Sequence, residues 1–305
     1  MSYVGPDLDS PQPRRPRRGP LTVALAALVP GALIGWFVYE AVAGPGGGSA
    51  AAHSSSASTA SGAPASPSGT ASNDDKPPNP SSLKGKVVVI DPGHNITNFQ
   101  HGTEINRKVD IGTNWKECDT TGTSTNAGYS EAQFTMDVSH RLRTLLEQQG
   151  VTVKLTHDGA SPAWGPCVDQ RAKIGNDAHA DAAISIHADG APVGDRGFHV
   201  ILPASVHAGS ADTRAIVGPS ALLGRSIKTN YQRTTGEQLS NYVGDGTGLV
   251  TRKDLGGLNL STVPKVFIEC GNMRDSNDAA LLTNSAWRQK AAQGISEGIV
   301  SFLRG

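Results

Sequence analysis

Two histidines and two glutamates lie in four short segments whose residue types fit one metal centre. The segments are Asp91-Pro92-Gly93-His94, Glu131, Ser185-Ile186-His187-Ala188-Asp189 and Phe267-Ile268-Glu269-Cys270-Gly271-Asn272. Two imidazoles and a carboxylate can hold zinc with one coordination position left open, and a further carboxylate can then work the water in that position. Taken singly, His94 and His187 read as polar loop residues, and Glu131 reads as a first-turn charge that complements a helix dipole. Glu269 differs, because it stands in the apolar run Val266-Phe267-Ile268, where an unpaired carboxylate is costly to bury.

The elements that must position these groups are legible from periodicity. Lys86 to Asp91 is a continuous apolar run ending in a turn, which predicts a strand buried on both faces. Ser130 predicts an N-cap, followed by a helical stripe of Phe134, Val138, Leu142 and Leu145 or Leu146, with Gly150 as a C-terminal stop. Further strands are predicted over 151–156, over 181–186 ending at His187, over 197–202 and over 264–269. Further helices are predicted over 168–180, 213–232, 277–284 and 286–303. Strands alternating with helices give an α/β domain with a mostly parallel or mixed central sheet flanked by helices. The site is then expected beyond the carboxyl ends of the strands, where His94, His187 and Glu269 all fall.

The remainder of the chain bears on location. Residues 1–20 are Pro-rich and basic and read as a cytoplasmic tail. Residues 21–43 hold 19 uncharged positions from Leu21 to Tyr39 and end in Ala41-Val42-Ala43. This is either a transmembrane anchor or a signal peptide. Residues 44–82 are Gly, Ala, Ser and Pro, too poor in apolar side chains to fold, and read as a tether spanning about 35 Å as a coil. The domain is then residues 83–305, held outside the membrane in the cell-wall space. Acidic and basic side chains balance at 27 each, so no basic field points to nucleic acid. No repeat suggests an added wall-binding module, and a monomer is expected. Cys118 and Cys167 lie in loop sequence and Cys270 in an apolar strand. For an exported domain, a Cys118–Cys167 disulfide with Cys270 buried and reduced is the natural pairing.

Residues 86–305 resemble the zinc-dependent N-acetylmuramoyl-L-alanine amidases of the third amidase family. The likeness is carried by Val88-Val89-Ile90-Asp91-Pro92-Gly93-His94, by Glu131 after a small-residue turn and by Ser185-Ile186-His187-Ala188-Asp189. It continues through Val263 to Asn272 and then Asp275-Ser276-Asn277-Asp278 with Leu281-Leu282. It looks closest to the compact actinobacterial type. The resemblance implies that His94, Glu131 and His187 are zinc ligands and that Glu269 is the catalytic carboxylate. The substrate implied is peptidoglycan or its fragments, cut at the amide between the lactyl group of N-acetylmuramic acid and L-alanine of the stem peptide. An inactive amidase-like wall-binding module, or another zinc hydrolase of wall fragments, is the alternative. The sequence departs from the family pattern in a long stretch between the first two ligands, 95–130, and in Gly271-Asn272-Met273 where Gly-Phe is usual. Residues 95–129 are expected to form a flap or hairpin stapled by Cys118. Asp91 is expected either to orient a ligand and brace the turn or to cap backbone N–H groups there. No site role is expected for His101, His140, His157, His179, His199 or His207, and Trp164 and Trp287 are expected to pack.

Overall fold

The computed structural model describes residues 83–305; the tail, membrane-directed segment and tether expected over 1–82 lie outside the described residues. In chain order the elements begin with β1 (Val87–Pro92), α1 (Gly102–Ile105), β2 (Lys108–Asp110), β3 (Trp115–Glu117), α2 (Glu131–Glu147), β4 (Thr152–Leu155) and α3 (Val168–Asp177). There follow β5 (Ala182–Asp189), β6 (His199–Pro203), β7 (His207–Ala208), β8 (Ala211–Asp212), α4 (Val217–Thr235), β9 (Leu249–Arg252) and α5 (Gly256–Asn259). The chain closes with β10 (Lys265–Asn272), α6 (Ser276–Leu282) and α7 (Ser285–Arg304). No helix of the described residues is long and apolar enough to cross a membrane.

The sheet order is β4-β1-β5-β10-β6-β9. The first four strands are parallel, β6 runs antiparallel to β10, and β9 runs with β6. The sheet is therefore mixed, as expected, and β9 is an element the sequence reading missed: Leu249-Val250-Thr251-Arg252 is short and half-exposed and carries little periodic signal. β5 and β10 are buried along their whole length, which fits their position between neighbours on both sides and under helices on both faces. Val88, Ile90, Ile184, Ile186, Val266 and Ile268 point into the main core with Phe134 and Leu142 of α2, Leu223 and Ile227 of α4, and Ile295 of α7. Side chains alternate along a strand, so Val89, Ala183, Ile201 and Phe267 face the other way, toward α3 and α5.

α2 begins with a capping box. The Ser130 Oγ accepts from the Gln133 N–H while Gln133 Oε1 accepts from the Ser130 N–H, a device worth about 1 kcal/mol. It fixes the register of the helix and therefore the direction of Glu131, the first helical residue. The helix ends at Glu147, with Gly150 beyond it at φ +84°. Similarly α3 stops at Asp177, three residues before the expected end. His187 and Glu269 do not terminate their strands: β5 continues to Asp189 and β10 to Asn272, with a bulge after Glu269.

On the α3 face the parallel strands carry buried polar groups. The Asp91 carboxylate accepts from Thr156 Oγ1 (2.7 Å), Ser185 Oγ (2.5 Å), Arg171 Nη1 (2.8 Å) and Lys265 Nζ (3.1 Å). It thus ties β1 to β5, β10 and α3, and braces the turn through side chains; the alternative, capping of backbone N–H groups, is not what its bonds show. Burial alone raises the Asp91 pKa, but Lys265, Arg171 and the Ser185 bond outweigh it and hold the carboxyl well below its ordinary range. A carboxyl depressed in the folded state contributes stability above its unfolded pKa and loses it as pH falls through the folded value. Asp91→Asn strands two buried cations and is expected to cost about 3–5 kcal/mol at neutral pH. The gap to wild type, measured by chemical denaturation, should hold down to about pH 4 and narrow below it. A gap that widens on acidification would contradict the pairing.

Candidate metal centre

His94, Glu131 and His187 come together although they lie on three separate elements, and their donor atoms all fall within 4.8 Å of one another. All three are buried. His94 follows β1 in a left-handed backbone conformation, φ 59°, uncommon for a residue with a β-carbon. The turn is held by the Gly93 N–H bonding the Ile186 carbonyl at 2.9 Å. Gly93 has no substitute, since a β-carbon there would stand 2.5 Å from the His187 ring. His187 projects from β5 and stacks on Phe267 of β10, with ring centroids 5.3 Å apart and planes within 10°. The His94 ring meets it edge-on at 5.1 Å.

Glu131 lies between the two imidazoles. Its Oε2 is 3.2 Å from His94 Nε2 and its Oε1 is 2.9 Å from His187 Nδ1. The Thr123 and Ala188 N–H groups donate to Oε2 and Oε1 at 2.9 and 3.3 Å. Burial raises the Glu131 pKa, yet the two histidines pull it well below the ordinary range. Burial pulls His187 down to about 3. For His94 burial acts the same way but is overcome by Glu131, assisted by Asp119, and its pKa rises.

The donor set fits a metal ion on a specific observation. His94 Nδ1 lies 3.1 Å from the Thr120 carbonyl and 3.3 Å from Asp119 Oδ1, which fixes a proton on Nδ1 and leaves the Nε2 lone pair directed at the Glu131 carboxylate. Nε2 makes no hydrogen bond among the described residues. A buried ring nitrogen 3.2 Å from a carboxylate oxygen needs a positive charge between them, which a proton on the ring or a bound metal ion supplies. Two imidazoles and one carboxylate match the open zinc sites of hydrolases in ligand type and number.

Glu269 stands in the same row. It is the cross-strand partner of His187 on one side and of His199 on the other, so the three side chains share a face. Its Oε2 has no hydrogen-bond partner among the described residues. Burial, then the charges of Asp189 and Glu131, raise its pKa well above the ordinary range. Burial and these neighbouring charges thus favour the neutral form of this carboxyl.

Several supporting groups escaped the sequence reading. Asp119 contacts His94, and Arg171 holds Asp119 (2.8 Å) and Asp91 (2.8 Å) with one guanidinium while also bonding the Pro92 and His94 carbonyls. Lys265 reads as a polar strand start but is buried against Asp91. His199 is buried beside Glu269 and meets Tyr242 edge-on at 5.8 Å, and Tyr242 donates to Asp189 at 2.8 Å. His157, also given no role, bonds the Pro92 carbonyl at 2.9 Å and supports the turn before His94. Arg171 left one usable sign, since it falls three residues after Val168 on the buried stripe of α3.

The 95–129 stretch contains the expected hairpin, β2 with β3, and Cys118 is bonded to Cys167 while Cys270 is free and buried. The disulfide joins the residue before Asp119 to the N-cap of α3, the helix that carries Arg171. Beyond it, Gly122 passes so close that a β-carbon would lie 2.6 Å from the His94 ring and 2.8 Å from Glu131 Oε2. Asn272, in the segment that departs from the usual pattern, donates to the Ala191, Pro192 and Asp195 carbonyls and so fixes the loop after β5. Trp287 is buried in the core, and Trp164 packs on the disulfide cluster.

Residues 88–301 match the family model described as N-acetylmuramoyl-L-alanine amidase. The chain is 41% identical over 226 residues to the N-acetylmuramoyl-L-alanine amidase Rv3717 of Mycobacterium tuberculosis, covering 73% of this chain and 89% of that protein. The crystal structure of the amidase Ami1 from Mycobacterium smegmatis superposes with a TM-score of 0.66 at 38% identity, over 72% of this chain and 98% of that one. The apo form of Ami1 from Mycobacterium abscessus gives 0.66 at 39% identity, over 72% and 100%.

His94→Ala and His187→Ala are expected to lose tight metal binding. Asp119→Asn, which removes only the charge that orients His94, should weaken it roughly 10–100-fold. Competition with a chromogenic chelator measures all three, and unchanged affinity in either histidine variant would remove the ligand assignment.

Proposed function

This chain belongs to the N-acetylmuramoyl-L-alanine amidase family, and we propose that it works as a zinc hydrolase in which His94, Glu131 and His187 hold the metal and Glu269 moves the proton. The bond cut is the amide between the lactyl group of N-acetylmuramic acid and L-alanine of the stem peptide. The observation that carries this reading is the convergence of three buried donor side chains within 4.8 Å, with the Glu269 carboxyl one strand away.

Zinc, when bound, supplies Lewis acidity to the scissile carbonyl and makes a water nucleophilic near neutral pH. The protein's own groups do the rest. Asp119 and the Thr120 carbonyl hold the proton on His94 Nδ1 and so present Nε2 to the metal. Phe267, stacked on His187, fixes that ring and keeps water from its face. Glu269 accepts a proton from the attacking water and delivers it to the alanine nitrogen as that bond breaks.

The basic, apolar and tether-like segments over 1–82 support an enzyme held outside the membrane. The Cys118–Cys167 disulfide agrees with an oxidising compartment.

Glu269→Ala is expected to keep its metal while hydrolysis of defined muropeptides falls roughly 10²–10⁴-fold. Mass spectrometry of a digest should show intact stem peptide released, the sugar chain whole, and no products once a chelator has removed the metal. Cleavage within the stem peptide, or loss of acetyl groups instead, would replace this reading with another hydrolase activity.

A further inference from the structure

A groove of about 540 Å3 opens beside the metal centre, between the 95–99 segment and the 121–133 segment. It adjoins the His94–Glu131 side of the site, since Gly122 on its wall packs against both residues and Asn95 directly follows His94. The lining residues contain no charge. They offer hydroxyl and amide groups, among them Thr121, Thr123, Ser124 and Gln133, together with Ile96 and Phe99. Ile96 is 42% and Phe99 70% exposed, and the pair makes up two of the five exposed large apolar side chains among the described residues. An exposed aromatic next to uncharged hydrogen-bonding groups is the chemistry that takes a sugar ring, an apolar face for stacking and hydroxyl and acetamido groups for bonding.

An acidic ligand fits poorly here. The α2 N-terminus at the groove is already answered by the Ser130–Gln133 capping box and by the Glu131 carboxylate. Arg274 stands at the rim, bonded to the Ser124 carbonyl at 3.4 Å, and is not part of the lining. Arg252, at the end of β9, is already held by Asp254 through two bonds of 2.9 and 2.6 Å, and it registers with Pro203 rather than with the His199–Glu269 level of the sheet.

Resting on the amidase reading, we infer that the N-acetylmuramoyl sugar of the substrate lies in the uncharged Phe99 groove, on the His94–Glu131 side of the centre. The test uses the full chain carrying Glu269→Ala and loaded with metal, so that ligands bind without being cut. The probes are a peptide-free glycan fragment and a free stem peptide, each titrated by calorimetry. Adding Phe99→Ala should weaken glycan binding about tenfold, as expected when a large apolar contact is removed, and leave stem-peptide binding unchanged. Phe99→Trp should retain glycan binding. In the otherwise wild-type enzyme, Phe99→Ala should raise KM for sugar-bearing muropeptide with kcat held, and leave cleavage of a lactyl-peptide lacking the sugar unaffected. Glycan that does not bind, binding indifferent to Phe99, or loss of stem-peptide binding on Phe99→Ala overturns the proposal. Failure of the amidase reading itself is recognised separately, by wild-type enzyme that releases no stem peptide.

Discussion

The buried carboxylate of Asp91 is the interaction on which the arrangement depends. Four donors from β4's end, β5, α3 and β10 converge on it, and its charge is what allows Arg171 and Lys265 to be buried at all. Buried pairs of this kind add little net stability against well-packed apolar residues, but they fail badly when one partner is removed. What Asp91 secures is geometry. Arg171, once placed, also holds Asp119 and the carbonyls of Pro92 and His94. The chain of contacts from sheet interior to metal ligand is thus Asp91, Arg171, Asp119, His94, with no bond in it longer than 3.3 Å.

Each candidate ligand is aimed by a different constraint. His94 is aimed by a left-handed turn and by the proton fixed on Nδ1. His187 is aimed by strand alternation and by stacking on Phe267, and Glu131 by the capping box that sets where its helix starts. Because the three come from separate elements, an error in any one would open the cluster. The disulfide holds the segment after β3, which carries Asp119, against the N-terminus of the helix carrying Arg171, which are the two pieces the network most needs adjacent. In chain-entropy terms a cross-link closing a loop of this size is worth about 4 kcal/mol.

The row His187–Glu269–His199 gives the site its asymmetry. On one side Glu269 neighbours the candidate metal ligand His187, and on the other a buried imidazole held neutral by burial and by Arg252. Beside the His94–Glu131 side lies an uncharged groove lined in part by Ile96 and Phe99.

Much of the fold was open to reading from periodicity. The buried strands of β1, β5 and β10, the capped start of α2 and the four primary site residues all stand in local patterns of hydrophobicity and turn chemistry. The pairing of Cys118 with Cys167 followed from their loop surroundings. Local patterns could not reveal β9, whose four residues are half-exposed, nor the true ends of β5 and β10, where polar residues continue a strand because neighbours on both sides supply its hydrogen bonds. They also could not reveal Asp119, Arg171, Lys265 and His199. Each of these is an ordinary polar residue in its own segment, and its role comes from a partner 52 to 174 positions away, or, for His199, from a strand register 70 residues distant. The sequence by itself determined which residue types were available for a metal and a proton, because ligand chemistry and strand or helix signals are local. Only the tertiary structure decided which buried charges hold those residues in place, because a buried charge is stable only beside its partner, and that adjacency is created by folding.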